Sequence, residues 1–396
     1  MNTNIEESFQ KLKQYCEAEN FKGWDPYDGL NSKVFKSLHL DKIKFFRLAW
    51  IQFFKRSPIN FRKIMLVEKG YNPKGLGLFL TAYCNLYRID RKESDLEKIH
   101  FLANKIIELK TPGYSGACWG YDFDWQSGAF FLPKGTPTVV ATSFIAYALM
   151  DAYEITKNKS YLETALSSAD FILNDLNRTQ KNEGFIFSYS PFDHTCVYNA
   201  SLLGSKLLAR IYSYTKDKEL LESARASVVA CTNVQREDGA WIYGERKRQV
   251  WIDSFHTGYN LECISEYQKY SGDKSFQKYI DKGLHYYLKN FFLKDGTPKY
   301  YDDNLYPIDV HAPAQLIATM YRTNVFQENK KLIEKVLYWT IVHMQDQKKG
   351  YFYYQLKQFI SSKIPYMRWS EAWMFYAFSF FILYKEKQSN KNGDTV

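Results

Sequence analysis

The sequence lacks the features that mark secreted, membrane-spanning and metal-binding proteins. Its six cysteines form no Cys-x-x-Cys pair, and most lie inside helical patterns, so we expect reduced, buried side chains. The longest apolar run, residues 372–384, is too short to span a bilayer, and residues 1–20 contain no signal-peptide core. No spacing such as His-x-x-x-His places two ligands on one helix, although structural calcium stays open. We therefore expect a cytoplasmic protein without a metal or other cofactor.

Concentrated charge is also absent. The net charge of +10 comes from lysines spread along the chain, without an arginine-rich arm or a block of five like charges. This spread argues against nucleic acid and leaves an acidic saccharide as a candidate partner. Aromatic residues, by contrast, make up 18% of the chain, and Tyr and Trp suit a wet concave site as well as a core. The sequence does not determine the oligomeric state.

Short polar links recur along the chain and mark helical hairpins. TKNKSY begins at residue 156, TKDKEL at 215 and SGDKSF at 271, each between two apolar helical patterns. RKESDL near 91 and NVFQENKK near 324 hold the same place in their own repeats. We predict that first helices begin near residues 74, 138, 196, 255, 309 and 369, and second helices near 92, 159, 217, 274 and 327.

The sixth second helix is missing from this pattern. DKIKFFRLAWIQFFKR, residues 41–56, has helical spacing and no mate, so we expect it to pack beside the last helix. The predicted fold is all-α: an (α/α)6 toroid of six inner and six outer helices, with short β-hairpins such as GFIFSYS and KYYDD in the rim loops. We expect an N-terminal extension (1–40) packing on the toroid, one toroid domain (41–386) and a disordered tail (387–396).

Long loops rich in glycine and aromatic residues join each outer helix to the next inner helix. In a ring they gather at one mouth, above the amino-terminal ends of the inner helices, where free N–H groups favour polar or anionic ligands. The mouth is therefore the predicted functional site.

Four segments carry a resemblance to known proteins: GWDPYDGLNS at 23, SPINFRKIMLVEKGYNPKGLGLFL at 57, WIDSFHTGYNLE at 251 and GTPKYYDDNLYPIDVHAPAQ at 296. The chain resembles the toroidal carbohydrate-active superfamily of six-hairpin glycosidases, polysaccharide-lyase helical domains and uronate C5-epimerases. It looks most like uncharacterised proteins encoded in bacterial capsule and exopolysaccharide clusters. The resemblance covers nearly the whole chain and implies the fold and a glycan-related role, without a verified catalytic residue.

A second likeness is weaker. VQREDGAW, with Gln235, Gly239 and Trp241, fits the Gln-x-x-x-Gly-x-Trp repeat of terpene cyclases and other helical barrels. The acidic motif of terpene chemistry is absent, because Asp302-Asp303 is followed by Asn304-Leu305-Tyr306. A terpenoid or prenyl substrate is thus the weaker alternative.

Aspartate and histidine occur together at the start of three successive inner helices. The pairs are Asp193 with His194, Asp253 with His256, and Asp309 with His311. The alternative interpretation is that each Asp serves only as a helix cap, a role that contributes ~0.5 to 2 kcal/mol. We predict catalytic roles for Asp253 and Asp309 as acid or base, for His256 and His311 as their partners, and for Asp124 as a second carboxylate for hydrolysis.

The predicted sugar-binding residues begin the inner helices or lie in the rim loops. Tyr259 and Asn260 share one face of a helix with His256, and Tyr198 with Asn199 repeats the arrangement one hairpin earlier. The other predicted contacts, besides Asp193 and His194, are Trp119, Tyr121, Asp122, Trp125, Trp241, Trp251, Tyr300, Trp369 and Glu371.

The predicted function is processing of a saccharide in polysaccharide metabolism or biosynthesis. The chemistry would be metal-independent acid–base work in a central cleft: hydrolysis, elimination or uronate C5-epimerisation. A non-catalytic glycan-binding or assembly protein is the alternative from a different class.

Overall fold

The computed structural model describes residues 5–127 and 130–393. Six helices form a closed inner ring, since each contacts the next and the last contacts the first. They are α4 (Pro73–Asp90), α6 (Val139–Thr156), α8 (Tyr198–Thr215), α10 (Ser254–Ser271), α12 (His311–Arg322) and α14 (Ala372–Gly393). Six helices surround it: α1 (Ile5–Ala18), α5 (Glu93–Glu108), α7 (Lys159–Asp170), α9 (Lys218–Thr232), α11 (Gln277–Phe291) and α13 (Lys330–Met344). The predicted toroid is confirmed.

Burial distinguishes the two rings. The inner helix α6 is buried without interruption from Val139 to Ala152, because it contacts neighbours on every side. The outer helix α11 buries one stripe that includes Ile280, Tyr287 and Phe291. An all-round apolar sequence therefore predicts an inner position and an amphipathic one an outer position.

The recurrent links form one kind of turn. Lys157 and Lys216 end their inner helices in the left-handed conformation, with φ of 57° and 60°. The following Asn158 and Asp217 then cap the outer helices by accepting the N–H of the residue two positions on. A left-handed residue followed by a polar cap thus accounts for the TKNK and TKDK sequences.

The sixth outer helix is α1, so the prediction for residues 41–56 is wrong in its packing. Phe9 of α1 packs against Phe375 of α14 at 5.0 Å. The side chain of Gln345, after α13, accepts the hydroxyl of Ser8 and donates to the backbone carbonyl of Ser8. The 41–56 segment does form a helix, α3 (Lys44–Arg56), but α3 contacts the helical turns 28–31 and 40–42 and the first rim strand. Its buried stripe is narrow, Ile51 and Phe54, too little to fill a place in the outer ring.

In the part of the chain that the structure describes, three two-stranded antiparallel sheets lie in the rim loops. They pair β1 (Trp125–Gln126) with β2 (Phe131–Leu132), β3 (Arg178–Gln180) with β4 (Phe185–Phe187), and β5 (Ile308–Asp309) with β6 (Gln355–Leu356). GFIFSYS therefore contains a strand as predicted. KYYDD forms only an isolated pairing, between Tyr301 and Asp253.

The cysteines, the C-terminal tail and the apolar helices were also subjects of prediction. All six cysteines are buried and unpaired. Helix α14 reaches Gly393, so residues 387–393 are helical where a disordered tail was predicted, and residues 394–396 lie outside the described part. Within residues 5–127 and 130–393, no helix is both long and apolar enough to cross a membrane.

A short helix, α2 (Lys33–Ser37), precedes α3.

Candidate functional site

The start of α10 holds a histidine against a buried carboxylate. Asp253 Oδ1 accepts the N–H of His256 at 2.9 Å and so caps the helix. Its Oδ2 lies 2.7 Å from His256 Nδ1 and accepts Trp251 Nε1–H at 3.0 Å. The His256 side chain is 20% exposed, and its Nε2 has no hydrogen-bond partner among the described residues. An aspartate behind one ring nitrogen orients the ring and leaves the other nitrogen for proton transfer.

The second predicted acid, Asp309, lies behind the start of α12. Oδ1 accepts the N–H of His311 and Trp369 Nε1–H, both at 2.9 Å, and Oδ2 accepts Gln355 Nε2–H at 2.6 Å. Burial raises the pKa of Asp309 to about 6 against the opposing effect of these donors. Because N–H donors occupy both oxygens, the carboxylate fixes Trp369 and the start of α12.

His311 pairs with a tyrosine from the neighbouring inner helix. Tyr259 Oη lies 2.9 Å from His311 Nε2, and the two rings of His311 and His256 flank Phe255 at centroid distances of 4.2 and 4.0 Å. Burial and then Lys74 lower the pKa of His311 well below its usual range, so the ring is neutral near pH 7. Burial raises the pKa of Tyr259 well above its usual range, so the phenol stays protonated. The pair can hold or pass one proton.

Lys74, the second residue of α4, is a buried amine inside a cage of rings. Its Nζ lies 4.5 Å from the ring centroid of Phe144, 5.4 Å from Trp373 and 5.6 Å from Tyr259. Among the described residues it has neither a hydrogen-bond partner nor a carboxylate within ion-pair distance, although it is only 4% exposed. Burial and then Arg368 lower its pKa well below the usual range. An unpaired buried amine of this kind favours an anionic ligand.

An arginine–aspartate pair lies beside this cage. Arg368 donates to both oxygens of Asp25, at 2.5 and 2.8 Å, and lies over the ring of Tyr121. Asp122 accepts Asn72 Nδ2–H at 2.6 Å, and burial followed by the charge of Asp25 raises its pKa to about 6. The N-terminal segment therefore supplies a charged residue to the mouth.

The same segment also covers the mouth. Tyr27 packs 5.8 Å from Trp369 and 6.2 Å from Trp125, between centroids, and Lys55 of α3 lies over the ring of Tyr27. The rings of Trp125, Tyr121 and Tyr189 form the wall next to it. The centre of the ring is thus aromatic and partly closed.

Many of the residues predicted from the sequence meet at this centre. They are Asp253, His256, Asp309, His311, Trp251, Tyr259, Tyr300 and Trp369, with Tyr121, Asp122 and Trp125 beside them. Asn260, one position after Tyr259, is buried, and its Oδ1 lacks a partner in the part of the chain that the structure describes. The Oδ1 of Asn199, at the start of α8, is likewise buried without a partner among the described residues.

Other predicted residues lie elsewhere. Asp124 accepts the N–H of Lys134 at 2.7 Å and pairs with Lys36 on the rim, and His194 is exposed. Asp193 accepts N–H groups of its own loop, from Ser190 at 2.7 Å and Thr195 at 2.9 Å. These two carboxylates therefore order the rim loops.

Four further residues that were predicted to contact the sugar are buried in the protein instead. Trp119 Nε1 donates to the carbonyl of Ile106 and Trp241 Nε1 to that of Cys231, so both indoles pack against outer helices. Glu371 accepts the N–H of Phe352, and burial raises its pKa well above the usual range. The pKa of Tyr198 is raised by burial and then by Glu245, a residue of another loop.

Several residues of the site were not predicted, among them Tyr243 and three charged residues. Tyr243 stacks on Trp251 at 4.7 Å and packs 4.6 Å from His256. Lys74, Arg368 and Asp25 form the charged part of the centre. A signal was available for two of them, because Lys74 follows the proline that begins an inner helix and Asp25 lies in the GWDPYDGLNS segment.

The described residues contain no group of three or more His, Cys, Asp or Glu side chains placed to hold a metal ion. The absence of a metal or cofactor from the mechanism stays a prediction.

A concavity of about 640 Å³ lies between α11 and the loop after α9, and no predicted site residue lines it. The polar side chains at the mouth are therefore the best candidate site.

No family model matches the chain, and no curated protein matches it. Several solved structures match it in fold. A cellobiose 2-epimerase from Bacillus thermoamylovorans B4167 aligns with a TM-score of 0.59 at 16% identity, over 79% of this chain and 88% of that chain. A GH76 α-mannanase from Bacteroides thetaiotaomicron aligns with a TM-score of 0.62 at 14% identity, over 82% and 89%. The chain has the (α/α)6 toroid fold. An unsaturated glucuronyl hydrolase specific for heparin shares it, with a TM-score of 0.59 at 13% identity over 81% and 88%.

Proposed function

We propose that this toroid is an enzyme that processes a saccharide by proton transfer at its mouth. The supporting observation is the pair of adjacent dyads, Asp253 with His256 and Tyr259 with His311, which flank Phe255. His256 acts as the base, because Asp253 holds Nδ1 and Nε2 remains for a substrate proton. Tyr259, protonated and bonded to His311, acts as the acid. The carbohydrate enzymes that share the fold support a saccharide substrate.

Epimerisation or elimination fits this site better than hydrolysis. Glycoside hydrolysis usually needs two carboxyl groups, one of which attacks or activates water. Here Asp253, Asp309 and Asp124 each accept a backbone N–H, and Asp309 has three donors in all. In both reactions a base removes a proton from a carbon beside a carbonyl or carboxylate; an acid then returns a proton to the opposite face of that carbon in epimerisation, or protonates the leaving oxygen in elimination. His256 can serve as this base and Tyr259 as this acid.

The charges at the site favour an acidic sugar. Among the described residues no carboxylate lies within ion-pair distance of Lys74, and Arg368 lowers its pKa more than the nearby Asp25 raises it. A uronate carboxylate bound in this cage would pair with Lys74 and stabilise the charge that develops when C5 loses its proton. We therefore propose uronate C5-epimerisation or elimination, within cytoplasmic biosynthesis of a capsular polysaccharide or exopolysaccharide.

The test is incubation of the full chain with uronate-containing and neutral oligosaccharides in D2O, followed by NMR. Epimerisation predicts deuterium at C5, elimination an unsaturated product and hydrolysis a new reducing end. His256→Ala and Asp253→Asn should each slow proton exchange by about 100-fold or more. His343→Ala, on the exposed face of α13, is the matched control and should retain the wild-type rate.

Two outcomes would contradict the proposal. Hydrolysis that survives the loss of His256 would assign the chemistry to other groups. Saturable binding of a saccharide with no spectral change would instead identify a glycan-binding protein. The side-chain oxygens of Asn199 and Asn260, which have no partner among the described residues, are also suited to that alternative.

A further inference from the structure

The surface on and around α3 combines exposed apolar side chains with positive charge. Nineteen large apolar side chains are exposed in the described part of the chain, and eight of them lie within residues 38–66. We call this segment the 38–66 surface. Its exposed apolar members are Leu38, Ile43, Phe45, Phe46, Phe53, Ile59, Ile64 and Leu66. Such a concentration is uncommon on a protein with no partner for that surface.

Helix α3 has apolar residues on two opposite faces. Ile51 and Phe54 are buried against the N-terminal segment. Phe45, Phe46 and Phe53 lie on the opposite face and are 71%, 38% and 43% exposed. One face thus fixes the helix to the toroid while the other presents three phenyl rings to solvent.

The same segment carries a positive surplus, although Arg62 is buried in an ion pair with Asp28. Residues 38–66 contain seven Lys and Arg against one Asp, in a chain whose net charge is +10. Lys42, Lys44, Arg56 and Lys63 are exposed, and no exposed Asp or Glu occurs between residues 38 and 66. The apolar rings are therefore bordered by charge of one sign.

A loop from the other end of the chain adds to this surface. Lys357 Nζ donates to the carbonyl of Arg56, at the end of α3, at 3.2 Å. Phe359 and Ile360 follow it and are 87% and 65% exposed. Exposed apolar side chains near the basic end of α3 thus come from two separate segments of the chain, residues 38–66 and the loop that contains Phe359 and Ile360.

We propose that the 38–66 surface docks on an anionic phospholipid bilayer. The phenyl rings enter the boundary between headgroups and acyl chains, and the lysines and arginines contact lipid phosphates, as in helices that lie in the plane of a membrane. A surface of one charge sign around the rings matches an anionic bilayer better than a second copy of this chain, whose own 38–66 surface would repel it. Because α3 contacts β1 of the rim, docking places the mouth next to the membrane surface.

The experiment measures binding of the full chain to vesicles by co-sedimentation. Vesicles of phosphatidylcholine alone are compared with vesicles that also contain phosphatidylglycerol, at low and high salt. We expect binding to the anionic vesicles only, weakened by salt. The triple change Phe45→Ser, Phe46→Ser and Phe53→Ser should reduce binding at least about tenfold, and Lys42→Glu with Lys63→Glu should do so independently.

Matched controls come from the outer face of α13, where Tyr338 and Val342 are each 46% exposed. Tyr338→Ser with Val342→Ser should leave vesicle binding unchanged, and circular dichroism checks that every variant is folded. Failure of the wild type to bind anionic vesicles, or equal loss in the control, would overturn the proposal. So would a dimer that the phenylalanine changes dissociate in the absence of vesicle binding. This test is independent of the proposed enzymatic function.

Discussion

At the scale of single residues, capping and chemistry are not alternatives. Asp253 caps α10 with one oxygen and orients His256 with the other, so the residue that caps the helix also positions the histidine that we propose as the base. The sequence could predict this pair because both residues lie within one helical turn. It could not predict that N–H donors would occupy both oxygens of Asp309, since Trp369 and Gln355 come from distant parts of the chain.

Lys74 illustrates the opposite case, a residue whose role depends on burial alone. Lysine at the start of a helix usually extends to solvent, and the position of Lys74 after the proline that begins α4 does not by itself indicate that its amine is buried. Only the closed ring brings Phe144, Trp373 and Tyr259 around it. Its identification therefore required the packing of three different inner helices.

Replacement of Lys74 should stabilise the protein at neutral pH. Because folding lowers the pKa of Lys74, the unfolded chain binds more protons between the lowered pKa and about 10.4, and wild-type stability rises with pH across that window. Lys74→Met removes the cost of the buried amine, so its advantage should be largest at pH 6 to 7 and shrink toward pH 10. Urea denaturation at several pH values measures this. The exposed Lys278→Met serves as control, and a pH-independent advantage of the Lys74 variant would contradict the explanation.

At the scale of elements, the structure gives the Gln-x-x-x-Gly-x-Trp likeness a structural meaning. Gln235 Nε2 donates to the carbonyl of Gly239 and to that of Tyr279 in the next outer helix. Gln345 makes the same two bonds, to Gly350 and to Ser8 of α1. The glutamine thus joins a rim loop to the following outer helix, and Gln345 makes the same joint to α1 within a looser spacing, Gln-x-x-x-x-Gly-x-Phe.

The glycine of this joint should be sensitive to size. Gly350 has φ of 84°, and a Cβ there would lie 2.3 Å from the carbonyl oxygen of Lys11 in α1. Gly350→Ala should therefore lower the free energy of unfolding by more than the ~1 kcal/mol expected from the backbone conformation alone. Gly272→Ala is the matched control, because its φ of 79° is similar and a Cβ would meet nothing within 4 Å. Equal destabilisation in urea titrations would argue against the close approach of loop and helix.

At the scale of the whole molecule, the hairpin repeat was predictable and the closure of the ring was not. The turn sequences repeat locally, so the starts of eleven helices could be placed within a few residues. Closure joins segments more than three hundred residues apart, such as Ser8 and Gln345, and two helices with no hairpin mate competed for the last place. Burial decided between them, because α1 offers Phe9, Leu12 and Cys16 to the core, whereas α3 buries only two side chains.

If α1 packs against α14 as the other outer helices pack against the inner ring, a circularly permuted chain that begins at a different hairpin should still fold. Glu6 lies 3.3 Å from Lys385, so the beginning of α1 and the later part of α14 are adjacent. Joining the two ends with a linker of about twelve Gly and Ser residues, which spans roughly 20 Å, and opening the chain between Lys216 and Asp217 should preserve the fold. The melting temperature should stay within about 5 °C of the wild type. Opening within α8, between Gly204 and Ser205, should abolish the cooperative transition because it cuts a buried inner helix. If the permutant opened at the turn also failed to fold, the joint between α1 and α14 would not be equivalent to the others.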